Sequence, residues 1–190
     1  MKIAIIGAGN MGGAIARGLA KGTIIKAEDI CVSNPSQGKL DILKAEFPAM
    51  QVTHSNEEAA QNADIVLLAV KPWFIETVIK ALPLDGNKQI LISVAAGISF
   101  EQYESWVGEK MPVFRVIPNT AISQLESMTL IASHHATKEQ EQLLLDIFNE
   151  MGLAMLIPEK QMAATTALTS CGIAYVLKRS EEHTSELQSQ

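Results

Sequence analysis

Gly7, Gly9 and Gly12 stand in the spacing G-x-G-x-x-G within IAIIGAGNMGGAIARGLA, after a short apolar run and at the head of a helical pattern. Strand, glycine turn, helix is the context in which this spacing carries chemistry. Gly7 permits a tight turn, Gly9 lets the backbone approach a pyrophosphate, and Gly12 lets the helix pack close to the strand. The unpaired N–H groups and positive end of the helix then face the phosphates. Ile6, Gly7, Ala8, Gly9, Asn10, Met11 and Gly12 are therefore expected to hold a dinucleotide. The next strand-end stretch, CVSNPSQGK, offers Ser33, Asn34 and Ser36 with Lys39 close behind, and no carboxylate. A carboxylate there would hold a ribose 2′-hydroxyl. It would repel a 2′-phosphate by about 1–4 kcal/mol at contact range. Hydroxyls, an amide and a lysine favour NADPH, with NADH possible; the plain alternative is an ordinary Asn-Pro-Ser turn.

The elements that must position these groups alternate. Lys2–Ile6, Ile30–Ser33, Gln51–Thr53, Ile65–Val70, Gln89–Val94 and Val113–Ile117 read as strands, short, rich in Ile and Val, and bounded by Gly, Pro, Asn or Asp. DIVLLAV is apolar throughout, as a parallel strand covered on both faces must be. Asn10–Lys21, Gln37–Phe47, Asn56–Gln61, Pro72–Leu82 and Phe100–Val107 read as helices between them. The class is α/β, with an amino-terminal Rossmann-like doubly wound parallel sheet. Met128–Ala132 and LAMLI (153–157) read as further strands. Lys138–Glu150 is a helix with Thr137 as N-cap and Gly152 just past its end. From Pro158 the strand signal stops. The division is 1–157 as an NAD(P)-binding domain, 158–178 as the start of a helical domain, and 179–190 as a tail.

Ligands of such a sheet sit beyond the carboxyl ends of the strands. Three unusual stretches fall there: Ala69, Val70, Lys71 and Pro72; SVAAGIS with Ala95, Ala96 and Gly97; and RVIPNTAI with Asn119 and Thr120. Taken singly, Lys71 is a solvated charge and Asn119 an N-cap; together they mark one edge.

With these stretches in place the sequence resembles the pyrroline-5-carboxylate reductase family over residues 1–178. The similarity rests on GAGNMGGAIARGL, Asn56 before an acidic helix, ADIVLLAVKP, SVAAGIS, RVIPNT and ALTSCGIAYV. In the last motif Ser170, Cys171 and Ile173 replace the family's usual Gly, Ser and Pro. NTAISQLESMT also departs from the more usual glycine-containing version. The resemblance implies NAD(P)H-dependent reduction of 1-pyrroline-5-carboxylate to L-proline, the last step of proline biosynthesis. It places the dinucleotide on residues 7–12, 33–36, Asn56 and 69–72, with Ala95–Gly97 and Asn119 near the nicotinamide. Asn119, Thr169, Ser170, Cys171 and Gly172 form the expected substrate site, the last four through N–H groups at a helix start. It also implies a homodimer or higher homo-oligomer formed through carboxyl-terminal helices. The rival readings are a related reductase of the 6-phosphogluconate-dehydrogenase-like superfamily and a non-catalytic dinucleotide-binding fragment.

Composition excludes other classes. With 47% hydrophobic and 19% charged residues among 190, the chain has material for a core. A net charge of −6 without a Lys/Arg block gives no support for nucleic acid. No run approaches the roughly 18 apolar residues of a membrane span, and Met1-Lys2 with its short apolar run lacks a leader's cleavage pattern. Cys31 and Cys171 lack metal-ligand spacing and read as reduced small hydrophobes in a cytoplasmic protein. No Ser-His-Asp or Cys-His set is present, His134 and His135 are expected to face solvent, and no metal cluster and no catalytic acid is identified. RSEEHTSELQS (179–189) matches the translation of a widely used sequencing adapter. It leaves a helix beginning at Thr169–Lys178 without its apolar continuation. The expectation is a truncated chain that binds NADPH with weak or no turnover.

Overall fold

The computed structural model describes residues 1–169. Eight strands form one sheet: β1 (Ile3–Ile6), β2 (Ile30–Ser33), β3 (Gln51–Thr53), β4 (Ile65–Leu68), β5 (Ile90–Ser93), β6 (Val113–Ile117), β7 (Ser127–His134) and β8 (Gly152–Leu156). Their order is β3-β2-β1-β4-β5-β6-β7-β8. The first six run parallel, β7 is antiparallel to β6, and β8 follows β7 in parallel. The expected parallel sheet is thus extended by two reversed strands. The reversal follows a 3-10 turn at Thr120–Gln124, closed by Leu125 in the left-handed region (φ 64°).

Alternation within the buried strands builds two cores. Ile3, Ile5, Val32, Leu67 and Ile92 face one side, where α1 (Asn10–Lys21), α2 (Gln37–Glu46) and α6 (Lys138–Asn149) bury Ile15, Leu19, Leu40, Leu144 and Phe148. Ala4, Ile6, Val66, Leu68 and Leu91 face the other. There α3 (Asn56–Gln61), α4 (Ile75–Ala81) and α5 (Phe100–Val107) bury Ala59, Ala60, Ile75, Ile79, Phe100 and Tyr103. Each fully buried Ile or Leu contributes about 1.5–3 kcal/mol. A strand with both faces covered is apolar along its length, which is why β1 and β4 carry no polar residue and β5 carries only Ser93 at its end.

Local signals set the boundaries. Ser99 with Gln102 and Thr137 with Gln140 form capping boxes that start α5 and α6. The expected helix from Pro72 opens instead as a 3-10 turn over Pro72–Phe74 before α4. At the carboxyl side, α7 (Glu159–Thr169) is anchored to the sheet by Glu159. Its Oε1 accepts from Arg115 Nη1 (2.5 Å) and from the Phe100 N–H (2.9 Å). Arg115 also lies over the Phe100 ring, 5.7 Å from its centroid. No helix among the described residues is long and apolar enough to cross a membrane.

Candidate functional site

β1 lies between β2 and β4, so the crossovers from β1 and from β3 to β4 leave in opposite directions and open a crevice at its carboxyl end. Gly7 and Gly12 are there for steric reasons. Gly7 has φ +106°, and a Cβ on it would lie 2.8 Å from Ala69 O. A Cβ on Gly12 would lie 1.9 Å from Gly7 O, inside any allowed contact. Gly9 is different. Its backbone is ordinary (φ −68°, ψ −171°), and a Cβ on it would meet nothing within 4 Å. No internal contact demands glycine at that position; the space its missing side chain leaves opens into the cleft. Gly9 is also the N-cap of α1, no side chain caps it, and the first turn carries no acidic residue. The amino end of a 12-residue helix therefore presents its N–H groups and partial positive charge to that space.

The loop after β2 is held by its own polar atoms. Asn34 Oδ1 accepts from the Ala8 N–H (3.0 Å), and Asn34 Nδ2 donates to Ser36 O (3.1 Å). Ser33 Oγ donates to Asn56 Oδ1 (2.7 Å). Ser33 and Asn34 are buried and engaged in this way, whereas Ser36 and Lys39 are exposed. Ser36 stands at the head of α2, and its hydroxyl makes no cap bond. No carboxylate ends β2. Instead His54 closes the loop from β3, with Nδ1 on Asn34 O (2.8 Å) and Nε2 on Gln37 Oε1 (2.7 Å).

A cleft of about 880 Å³ joins most of the expected residues. Gly7, Gly9, Asn10, Met11, Asn34, Asn56, Ala69, Val70, Lys71, Pro72, Ala95 and Ala96 all line it. Lys71 is exposed and makes no ion pair among the described residues. The loop 94–97 is shaped from below by Ser93, whose Oγ accepts from the Ala95 N–H (3.2 Å) and from the buried Tyr103 hydroxyl (2.6 Å). Burial pushes the Tyr103 phenol up, outweighing its bond to Ser93 and the nearby Arg115 charge. Gly97 takes φ +79°, a conformation that glycine adopts without strain.

Ile6, Ala8, Gly12, Ser33, Ser36, Gly97 and Asn119 do not line this cleft. Ile6 and Gly12 are buried beneath the cleft, and Ala8, also buried, borders the pocket lined by Thr120. Asn119 caps the 3-10 turn, its Oδ1 accepting from the Ala121 N–H (3.0 Å). Its neighbour Thr120 lines a second pocket of about 490 Å³, with Gly9, Asn10, Arg17, Ser123 and Gln124. Arg17 is fixed there on Glu46 (Nη2–Oε1 2.8 Å), whose hydrogen bond raises the guanidinium further and holds the Glu46 carboxyl below its usual range. Thr169 ends α7, while Ser170, Cys171 and Gly172 lie outside the described residues. The cleft also includes Phe74, Thr77 and Val78. These belong to ordinary helical spacing, and no sequence signal sets them apart.

Cys31 is half-buried on β2, its thiol pushed up first by burial and then by Glu58. His135 is exposed, as expected, and His134 is half-buried; what the sequence does not show is their shared partner. His134 is the last residue of β7, and both imidazoles reach Glu104 on α5. The sequence hides this set, because Glu104 is 30 residues away from the pair.

Residues 2–97 match the family model described as NADP oxidoreductase coenzyme F420-dependent. The chain is 34% identical over 182 residues to pyrroline-5-carboxylate reductase 3 of Mus musculus, covering 95% of this chain and 66% of that protein. It is 35% identical over 177 residues to the pyrroline-5-carboxylate reductase of Methanosarcina acetivorans, covering 92% and 65%. The chain thus spans just under two thirds of the length of these curated relatives. Among solved structures, pyrroline carboxylate reductase of Plasmodium falciparum with NADP bound aligns at TM-score 0.86 and 30% identity, over 100% of this chain and 70% of that one. The pyrroline-5-carboxylate reductase of Coxiella burnetii aligns at 0.88 and 31%, over 100% and 72%.

Proposed function

The chain belongs to the pyrroline-5-carboxylate reductase family, and on that premise we propose that its cleft binds NADPH for the reduction of 1-pyrroline-5-carboxylate to L-proline. The observation that carries this reading is Gly9: an uncapped helix start with an open Cα, facing a cleft walled by Ala69–Pro72 and Ala95–Ala96. Residues 1–157 form the dinucleotide domain, and the helical segment from Pro158 begins the part that bears substrate contacts. A homo-oligomer completed through that segment is part of the same proposal, as is a cytoplasmic location.

The residues present fit a phosphorylated dinucleotide. The α1 start and the Gly9 N–H take the pyrophosphate, and Ser36 and Lys39 take the 2′-phosphate. Ser33 and Asn34 act by holding the loop rather than as donors, because their polar atoms are engaged. When bound, the cofactor supplies the hydride received by the C=N carbon of the cyclic imine, while a proton resides on its nitrogen. The chain's own part is positioning and exclusion of water. The small side chains of Ala95 and Ala96 leave room for a flat ring, Ser93 and Tyr103 fix their backbone, and Asn119 and Thr120 border the approach from β6. Thr169, Ser170, Cys171 and Gly172 belong to the substrate side of the proposal.

The test is a titration of NADPH and NADH followed by an assay of 1-pyrroline-5-carboxylate reduction. Tighter binding of NADPH, with only weak turnover to proline, is the expected result. Binding without turnover defeats the reductase reading of this chain and leaves the cofactor site standing. Failure to bind either cofactor defeats both.

A further inference from the structure

We propose that Glu104, His134 and His135 form a binding site for a divalent transition cation of the zinc type, remote from the dinucleotide cleft. Glu104 Oε2 lies 2.6 Å from His134 Nε2 and 2.8 Å from His135 Nε2, and one ligand atom from each residue falls within a 4.8 Å set. Two imidazole nitrogens and one carboxylate oxygen are the donor set that suits zinc, cobalt, nickel and copper rather than magnesium or calcium.

The backbone brings both rings to one place. His134 follows Ala132 on the sheet face covered by α5, and it stacks on Phe100 at 5.1 Å and 15°. In an extended strand the next residue projects to the opposite face. His135 instead takes φ +55°, and its ring lies 3.9 Å from that of His134. A non-glycine residue in this region is held there against its own preference by its surroundings. Here the outcome is two imidazoles converging on one carboxylate oxygen.

The set is accessible and adjustable. Side-chain exposures are 34% for Glu104, 33% for His134 and 37% for His135, so an ion can enter and water can complete its coordination. Tetrahedral ligation at about 2.0–2.1 Å puts ligand atoms roughly 3.3 Å apart. The present contacts must therefore open by about 0.5–0.7 Å, within the freedom of half-exposed side chains. The site lies at the other end of the sheet from the cleft, since His134 pairs with Val113, the first residue of β6. A cation there would tie α5 to the end of β7.

The experiment is a Co²⁺ titration of the full chain, read by visible absorption, beside Zn²⁺ titrations read by thermal unfolding. A saturable one-to-one cobalt band and a zinc-dependent rise in Tm are expected. Glu104→Gln and His135→Asn should each weaken binding about tenfold or more. Asn tolerates a positive φ, and Gln keeps the size of Glu, so both variants should unfold at the wild-type Tm in EDTA. X-ray absorption of the zinc-loaded chain should show nitrogen and oxygen ligands only. Absence of a saturable cobalt band in the wild-type chain overturns the proposal. So does unchanged affinity in both variants, or a sulfur ligand, which would place the ion on a cysteine.

Discussion

The two ends of the sheet are finished in opposite ways. At the amino end of the strands, apart from the Glu104, His134 and His135 set, the polar groups of the loops between β1, β4 and β5 are matched within the chain. Gln89 Nε2 donates to both Ala60 O (2.9 Å) and Ala63 O (2.8 Å), and the Lys2 N–H donates to Asp64 Oδ2 (2.7 Å). At the carboxyl end, the backbone turns are braced from behind, by Asn34 on Ala8 and Ser93 on Ala95, while their outer faces remain open. The difference separates polar groups that stabilise the fold from those held ready for a ligand. Stability and binding should therefore respond to different substitutions, even within one six-residue turn.

The largest effect should come from Gly12→Ala. Its Cβ meets backbone at 1.9 Å, which no side-chain rotation relieves. Overpacking costs about 1–3 kcal/mol and occasionally more, and a clash with backbone belongs at the upper end. The urea midpoint should fall sharply and NADPH binding should be lost with it. An unchanged midpoint would show that α1 does not need its close approach to β1. Next is Gln89→Ala, which strips two carbonyls of a partner at a site only 6% exposed. A loss of about 1–3 kcal/mol is expected. The NADPH dissociation constant should stay within a factor of two, and a parallel loss of affinity would break the separation of the two ends.

Gly9→Ala is the counterpart of Gly12→Ala. The added methyl has open space and an ordinary backbone, so stability should change by less than about 0.5 kcal/mol. The same methyl stands where a pyrophosphate must approach, and NADPH affinity should drop at least tenfold, about 1.4 kcal/mol. Equal losses in the two glycine variants would mean that the turn acts only as packing.

The legibility of these features in sequence follows the same division. The glycine turn could be read because three glycines at fixed spacing, after a strand and before a helix, answer to backbone geometry alone. β1, β2, β3 and β6 could be read because burial on both faces, or a bounding Gly, Pro or Asn, marks them in one dimension. The reversal of β7 could not, since an antiparallel strand inside a sheet and a parallel one share composition, and Leu125 in the left-handed region gives no compositional warning. The engaged state of Ser33 and Asn34 was also hidden. Type and spacing gave them the right chemistry for a 2′-phosphate, but their partners, Asn56 and Ala8, are set by the fold. The same holds for Glu104 and its two histidines.

The smallest expected effect sharpens the comparison most, because Tyr103 belongs to both ends: it is buried in the core, and its hydroxyl supports the cleft loop through Ser93. Tyr103→Phe removes one hydrogen bond, worth about 1 kcal/mol of stability, and frees Ser93 Oγ. Affinity for NADPH should fall severalfold, while affinity for adenosine 2′,5′-bisphosphate, which does not reach residues 94–97, should not change. The pH dependence isolates the phenol. Burial raises its folded pKa above the unfolded value of about 10. Between the two, the unfolded chain has lost a proton that the folded chain keeps, so stability falls as pH rises. The wild-type chain should therefore lose stability more steeply than Tyr103→Phe from about pH 10 upward, and the two should run parallel below it. Parallel curves across the whole range would show that the phenol ionises as freely in the fold as outside it, and the brace beneath the cleft would lose its physical basis.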